Sequence, residues 1–242
     1  MMRRIFRNIE RGKEEGEKSG NFWTFVIGEF FLVFLGILIA LQVDNWNQNR
    51  KERKMERVLL SEMLTDLNGD LEDIEANTSA MERYKNANQV VLEFLDSNLP
   101  WHDSLGYYFA QLFGGSLFDI NTSAYESLNS IGIELIHNDK LRQQITALYS
   151  VRYSHVIANQ DVMFTMILGH LLPALTENLQ TITMRQNAIP VNLDELRQNN
   201  SFKEELKTAM FTYQLSIGIY NEAHEQVIRL IAEIEKELKQ GK

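Results

Sequence analysis

The chain has no cysteine, three prolines and 13 glycines in 242 residues. The lack of cysteine excludes disulfides, thiolate metal sites and cysteine nucleophiles, and it leaves the redox compartment open. Proline interrupts helices, and short strands are usually separated by turns rich in proline and glycine. The scarcity of both residues, with few glycines after Gly132, favours long helices over many short strands.

The sequence also lacks the short motifs of common enzyme and ion-binding sites. It has no phosphate-binding glycine-rich loop, no H-E-x-x-H, no G-x-S-x-G and no EF-hand loop. Its histidines are dispersed without metal-ligand spacing; they are His102, His137, His155, His170 and His224. We therefore predict a non-enzymatic protein with no metal or other cofactor.

Positive charge is scarce in the larger part of the chain. Region 44–242 carries 18 basic and 28 acidic residues. Nucleic-acid binding needs clustered lysine and arginine to neutralise phosphates, so this balance argues against a nucleic-acid partner. It also argues against the whole domain lying flat on an anionic bilayer.

One long hydrophobic run, Phe22–Val43, contains a single ionisable residue, Glu29, and no proline. A helix rises roughly 1.5 Å per residue, so about 20 apolar residues cross the hydrocarbon core of a bilayer. The run is longer than the apolar core of a signal peptide, and no A-x-A-like cleavage site follows it. We predict an uncleaved signal anchor, a single transmembrane helix over residues 22–43.

Basic residues flank this helix on both sides, so the positive-inside rule gives a near tie. The short charged tail Met1–Asn21 carries six basic and four acidic residues, and five more basic residues follow the helix closely: Arg50, Lys51, Arg53, Lys54 and Arg57. We predict a tail inside the cell and an acidic domain outside it. Trp23 and Trp46 are predicted to lie at the two membrane interfaces.

Glu29 is the one residue of the predicted membrane helix with acid–base chemistry. A carboxylate in hydrocarbon is costly, so it should be neutral, paired, or facing protein or water. Glu29 and Gly36 are seven residues apart, and Gly36 and Ala40 form a small-xxx-small pair; with Gly28 they predict a face that a second helix can approach closely. Glu29 is then either an ion- or proton-handling carboxylate or, as we favour, a structural residue: a protonated side chain that hydrogen-bonds across a helix oligomer, or one near enough to the interface to reach water.

The rest of the chain is predicted to be all-α. Apolar residues between Leu60 and Phe94 recur at spacings of three and four, which predicts a coiled-coil-like stalk helix within region 44–99, ended by Pro100. Region 100–242 is predicted to pack as an elongated antiparallel helical bundle on the distal part of that stalk, with a loop at Thr183–Asn200. Six aromatic residues are predicted to lie in the core: Phe94, Phe109, Tyr125, Tyr149, Phe164 and Phe211.

A second polar group is predicted near a helix start. Ser123 and Glu126 have the spacing of a capping box, and with Tyr125 and Arg142 they suggest a small pocket for an anion. The favoured interpretation is structural: Tyr125 packs, Glu126 caps and Arg142 pairs with Glu126. A row of acidic residues on the stalk is interpreted as a solvated face rather than a cation site; it comprises Glu62, Asp66, Asp70 and Asp73.

Two stretches resemble the pattern of a known family. They are Ile27–Arg53, IGEFFLVFLGILIALQVDNWNQNRKER, and Thr122–Leu128, TSAYESL, which Ile131-Gly132 follows. Together they resemble an uncharacterised family of bacterial single-pass membrane proteins, a domain of unknown function, over essentially the whole chain. The resemblance implies the bacterial cytoplasmic membrane, a cytoplasmic N-terminus, one span and an extracytoplasmic helical domain. It supplies no activity and no catalytic residues.

Three hypotheses of function follow. The first is a membrane-anchored, non-enzymatic interaction or sensory module that acts as a homo-oligomer or with another membrane protein, its partners being these and the lipid bilayer. The second is an ion- or proton-coupled membrane subunit with Glu29 as the working carboxylate. The third and weakest is an enzyme whose site forms only in the folded chain.

Overall fold

The structure is a computed structural model that describes residues 2–115, 117–183 and 185–240, with side chains described from residue 28 onward except at 181 and 182. The chain forms two compact units, Met1–Met55 and Glu56–Lys242. The first helix, α1 (Met2–Asp96), contributes to both units. The predicted tail therefore belongs to a helix from Met2 onward, whereas the side chain of Trp23 lies outside the described part.

The first unit consists of the N-terminal part of α1. The described segment Gly28–Asp96 contains an 18-residue window with a mean hydropathy of 1.6, none of which is buried. By length and composition, this is one helix apolar enough to cross a membrane. Its large side chains are open to the surroundings, with Phe30 72% and Leu32 71% exposed.

The second unit contains the rest of α1 and a series of shorter elements. These are α2 (Leu105–Phe109), α3 (Ser123–Ile131), α4 (Asp139–Ala147), α5 (Tyr153–Met166), α6 (Leu172–Asn178), β1 (Leu179–Thr183), β2 (Asn187–Pro190), α7 (Leu193–Gln198) and α8 (Asn200–Gln240). A 3₁₀ turn at Ile133–Leu135 precedes α4. The predicted all-α class, with one long N-terminal helix and a helical C-terminal region, is confirmed.

The core of the second unit follows the predicted apolar stripes. On α1 the buried side chains include Leu60, Leu67, Ile74, Met81, Tyr84 and Val91, and on α8 they include Leu206, Tyr213, Tyr220, Val227 and Ile234. The side chain of Asn138, at the start of α4, donates to Glu237 (2.7 Å), and that of Asn159 in α5 donates to Ser216 (2.8 Å). From the first contact to the second, the residue numbers increase along α4 and α5 and decrease along α8. Helices α4 and α5 therefore pack antiparallel to α8.

The helical part of the chain that begins with α4 continues past Pro173. Two π-helical turns, Leu148–Arg152 and Ile167–Leu171, join α4, α5 and α6. Pro173 lies in the first turn of α6, directly after the second π-helical turn. Proline has no N–H to donate and clashes with the carbonyl four residues earlier, so a local change of helical winding lets the chain accommodate it.

The predicted loop at Thr183–Asn200 is wrong. β1 and β2 form an antiparallel hairpin in which Ile182 pairs with Ala188 and Leu179 with Pro190. Three consecutive β-branched residues at the end of β1, 181–183, favour this conformation, and Arg185 supplies the turn with a positive φ of 62°. The side chain of Asn192 then accepts from the backbone N–H groups of Asp194 and Glu195 and caps α7.

One expectation about aromatic residues also needs correction. Phe94, Phe109 and Tyr149 are buried as predicted, and Tyr125 and Phe164 are partly buried, but Phe211 is 70% exposed. It lies on the outer face of α8, because the neighbouring Thr212 and Tyr213 occupy the core-facing side. Helix α2 ends at Phe109, and the described residues of the connecting segment that leads to α3, 110–115 and 117–122, are non-helical.

We predict that Gly114→Ala destabilises the chain by about 1–3 kcal/mol through overpacking. A Cβ at Gly114 would stand 2.1 Å from Cζ of Tyr84, a ring held in the core. Gly218→Ala is the matched control, since a Cβ there meets nothing within 4 Å and the position is exposed on α8. The control should stabilise the helix by about 0.5–1 kcal/mol. Thermal unfolding followed by circular dichroism checks both, and equal melting temperatures would contradict the packing described.

Candidate functional site

The apolar helix of the first unit presents an open small-residue face. Glu29 and Ala40 are exposed, and a Cβ added at Gly28 or Gly36 would meet nothing within 4 Å. Glu29, Gly36 and Ala40 fall on one side of a helix with about 3.6 residues per turn. Of the predicted packing residues, Gly36 and Ala40 thus lie on one side with Glu29, whereas Gly28 lies about 80° around the axis from Gly36 and about 120° from Ala40.

A different side of the same helix carries a shallow groove. It is lined by Leu38, Ile39, Gln42, Val43 and Trp46. The Trp46 side chain is 65% exposed, and the guanidinium carbon of Arg50 lies 5.9 Å from the centre of its ring, a cation–π distance. An exposed tryptophan at the end of an apolar helix suits an interface between hydrocarbon and water.

The residues of the predicted anion pocket bind different partners. Tyr125 stacks on Tyr149 with ring centres 4.3 Å apart, and its hydroxyl lies 3.0 Å from Oγ of Ser150. Glu126 accepts from the Thr122 hydroxyl at 2.8 Å. Arg142 donates to Asp139 (2.6 Å) and to the carbonyl of Ile136 (3.0 Å). Tyr125 therefore packs as predicted. Arg142 pairs with Asp139 at the start of its own helix, α4, whereas the predicted partner was Glu126.

The start of α3 differs from the predicted capping box. Thr122 is the N-cap and its side chain makes no capping bond. Ser123 is already helical, and its hydroxyl donates to Asp66 Oδ2 at 3.0 Å. The same oxygen accepts the backbone N–H of Ala124 at 3.1 Å. A carboxylate of α1 thus satisfies the helix start in place of a local capping residue.

The acidic row on α1 is largely engaged, so its interpretation as a solvated face is wrong for three of its four members. Asp73 accepts the backbone N–H of Asp119 (3.2 Å), and Asp70 accepts that of Asn121 (2.9 Å). Asn77, one turn further along, donates to the carbonyl of Leu117 (3.0 Å). With Asp66 these side chains form one face of α1 that holds the connecting segment, while Glu62 stays exposed.

Asp70 is the centre of this group and is fully buried. Its Oδ2 accepts from the Tyr153 hydroxyl at 2.6 Å, and its Oδ1 accepts from both the backbone N–H and the side-chain amide of Asn121 at 2.9 Å. Burial raises the pKa of Asp70 above its ordinary value of 3.8, although the bonds from Tyr153 and Asn121 lower it. Three donors therefore enclose the Asp70 carboxyl in the core.

Three tyrosines extend the buried polar group. Tyr149 stacks on Tyr125 and meets Tyr153 edge-on at 5.3 Å. Burial, followed by the nearby Asp70, raises the pKa of both Tyr149 and Tyr153, so both stay neutral. The Tyr149 hydroxyl is buried without a hydrogen-bond partner among the described residues. Sequence reasoning missed this cluster, although Asp70 occupies a core-facing position between Leu67 and Ile74, which could have indicated it.

Three of the histidines, His102, His137 and His224, contact separate partners. His137 contacts buried Glu56 through its backbone N–H (2.9 Å) and ring Nδ1 (3.1 Å). His224 lies 3.0 Å from Glu75 beside a 210 Å³ surface cleft, and His102 contacts Ser104. Within the described residues, no three histidine or carboxylate side chains are grouped so that they could hold a metal ion.

The fold and these contacts define an all-α protein with one helix apolar enough to cross a membrane and a helical unit held by buried polar contacts. The chain belongs to a family of unknown function, DUF6090, whose model matches residues 29–200. The match begins at Glu29 and extends to the start of α8. No curated protein and no solved structure matches the chain significantly. The predicted resemblance to an uncharacterised family is confirmed.

We predict that Asp70→Ala destabilises the chain by about 3 kcal/mol, because it leaves three buried donors without an acceptor. Asp70→Asn should be much milder, since its amide oxygen can still accept from Asn121. Thermal unfolding at neutral pH compares the two variants. Equal losses would contradict the assigned hydrogen-bonding role.

The same pair gives a pH test. Because the folded-state pKa of Asp70 is raised, its contribution to stability is complete below its ordinary value of 3.8 and is lost as pH rises through the raised pKa. Asp70→Asn removes this dependence. The melting temperature of Asp70→Asn minus that of the natural chain should therefore be larger at about pH 7 than at about pH 4. A difference that does not change with pH would contradict a raised pKa of Asp70.

Proposed function

We propose that this chain is a membrane-anchored, non-enzymatic interaction or sensory module that acts as a homo-oligomer or within a membrane complex. The observation that carries the proposal is the apolar helix of the first unit, whose large side chains are exposed and whose glycines face open space. Exposed apolar surface of this extent is costly in water and suits a bilayer or a partner helix.

The second unit supports a binding rather than a catalytic role. Its most strongly perturbed groups, Asp70, Tyr149, Tyr153 and Tyr213, are buried in the core and tied to packing. Perturbed titratable groups suggest catalysis when they line a cleft. Here Asp70 instead holds the connecting segment through Asn121.

We place the protein in the bacterial cytoplasmic membrane, with a cytoplasmic N-terminus and an extracytoplasmic second unit. The apolar segment and the family resemblance support this placement. α1 contributes residues to both units, so it is the element through which binding at the second unit would alter helix pairing at the first. Such a coupling is the basis of the sensory form of the proposal.

Cysteine cross-linking tests the oligomer. The chain has no cysteine of its own, so a single introduced cysteine reports one position. We expect Ala40→Cys to form disulfide-linked dimers in native membranes several times more efficiently than Leu38→Cys. The two positions lie about 160° apart around the helix, and Ala40 shares the small-residue face with Gly36. Equal yields, or none at either position, would contradict a homo-oligomer packed on this face.

The alternative function is an ion- or proton-coupled subunit. It is favoured by the position of Glu29 within the apolar helix, in line with Gly36, where an ionisable residue is costly unless it has a role. Under this alternative, proteoliposomes with the natural chain would dissipate an imposed proton gradient faster than those with Glu29→Gln, which keeps the size and loses the ionisation.

Our leading proposal predicts equal proton fluxes for the natural chain and Glu29→Gln, since a protonated glutamate and a glutamine pack alike. It also predicts that Glu29→Gln retains the Ala40→Cys cross-link. A flux that depends on Glu29 would overturn the leading proposal in favour of ion coupling.

A further inference from the structure

We infer that the groove face of α1 holds one anionic phospholipid, with its acyl chain against the groove and its phosphate at Arg50. The groove face consists of Leu38, Ile39, Gln42, Val43 and Trp46. This inference rests on the membrane anchoring proposed above and goes beyond it, because it names a ligand and the residues that recognise it.

The side chains along the groove change in character from apolar at Leu38 to cationic at Arg50. Leu38 and Ile39 are apolar, Gln42 is polar and uncharged, Trp46 has an apolar ring with one N–H, and Arg50 is cationic. Leu38, Gln42, Trp46 and Arg50 follow one another at intervals of four, so they share one side of the helix. A phospholipid has the same order of groups, from acyl chain through glycerol ester to phosphate.

Basic side chains lie on the Trp46 side of the helix, and acidic side chains lie away from it. Arg50, Arg53 and Lys54 lie within about 80° of Trp46 at about 100° per residue. The acidic residues of this stretch, Asp44 and Glu52, lie about 160° and 120° from Trp46. Glu52 also accepts from Gln48 at 2.8 Å on that other side. The groove therefore lies on the positively charged side of this helix segment. Region 44–242 as a whole is acidic and is not expected to lie flat on an anionic bilayer.

The contact between Arg50 and Trp46 places a cation at the end of the groove. The Arg50 guanidinium lies over the Trp46 ring at 5.9 Å, which orients the cation at the end of the groove and leaves its N–H groups for an acceptor. Tryptophan and arginine are both suited to the headgroup level of a bilayer. The planar guanidinium can bind two phosphate oxygens at once.

The groove face adjoins the face proposed for helix pairing. Val43, at one edge of the groove, lies about 20° around the axis from Gly36, whereas Gln42 and Leu38 lie about 120° and 160° from it. The row from Leu38 to Arg50 therefore remains open to a lipid beside a second helix. The lipid proposal is tested at Arg50 and the helix pairing at Ala40.

Native mass spectrometry of the full-length protein in mild detergent tests the site. Phosphatidylglycerol and the zwitterionic phosphatidylcholine are added at equal concentrations, and retained lipid is measured for the natural chain, Arg50→Gln and Lys51→Gln. The two variants remove one positive charge each from adjacent exposed positions, and only Arg50 lies at the groove. We expect phosphatidylglycerol to be retained in preference, Arg50→Gln to weaken its affinity by about fivefold, and Lys51→Gln to change it by less than about twofold.

Three results would overturn the inference. Equal retention of both lipids would exclude recognition of the anionic headgroup. Equal losses in the two variants would reduce the effect to non-specific charge. Stronger disulfide cross-linking of Leu38→Cys than of Ala40→Cys would show a second copy in the groove. The first two results leave the oligomer proposal intact, whereas loss of cross-linking at Ala40 alone leaves the lipid site intact.

Discussion

The second unit depends on one constraint, the satisfaction of the backbone of a non-helical segment packed against helices. Buried N–H and C=O groups need partners, and the described residues of the connecting segment, 110–115 and 117–122, have no regular structure to supply them. Side chains of the surrounding helices do so instead: Asn88 donates to Leu112, Tyr213 to Gly114 and Asn77 to Leu117, while Gln160, Asp73 and Asp70 accept from Phe118, Asp119 and Asn121. Asp70 is the costliest member of this set, since its carboxyl is fully buried, and its three donors offset that cost.

The first helix meets two different environments along its length. In the second unit its apolar side chains, such as Leu67 and Met81, are buried against other helices. In the first unit its apolar side chains, such as Phe30 and Ile39, are exposed. The same chemical preference therefore leads to a packed core in one unit and to a surface suited to lipid or to another helix in the other. This difference is why the proposed membrane anchoring and helix pairing are assigned to the first unit.

Periodicity allowed the helices to be predicted, because burial of an apolar stripe is a local property of sequence. The stripes from Leu60 to Phe94 and along α8 needed only residue spacing. The acidic row could not be interpreted in this way, because the groups that Asp66, Asp70 and Asp73 bind lie about 50 residues away in the chain. Phe211 was misassigned since apolar character alone does not specify which side of a helix faces the core. The hairpin was missed because amides and Pro190 masked the β-branched pattern of β1.

Both the proposed function and the lipid site require that the apolar helix anchors the chain in a bilayer. Alkaline carbonate extraction of native membranes tests this anchoring, because the treatment releases peripheral proteins and leaves membrane-spanning ones in the pellet. We expect the chain to stay with the membranes and to be released only by detergent. Recovery of the chain in the carbonate supernatant would contradict membrane anchoring, and with it both the proposed function and the lipid site.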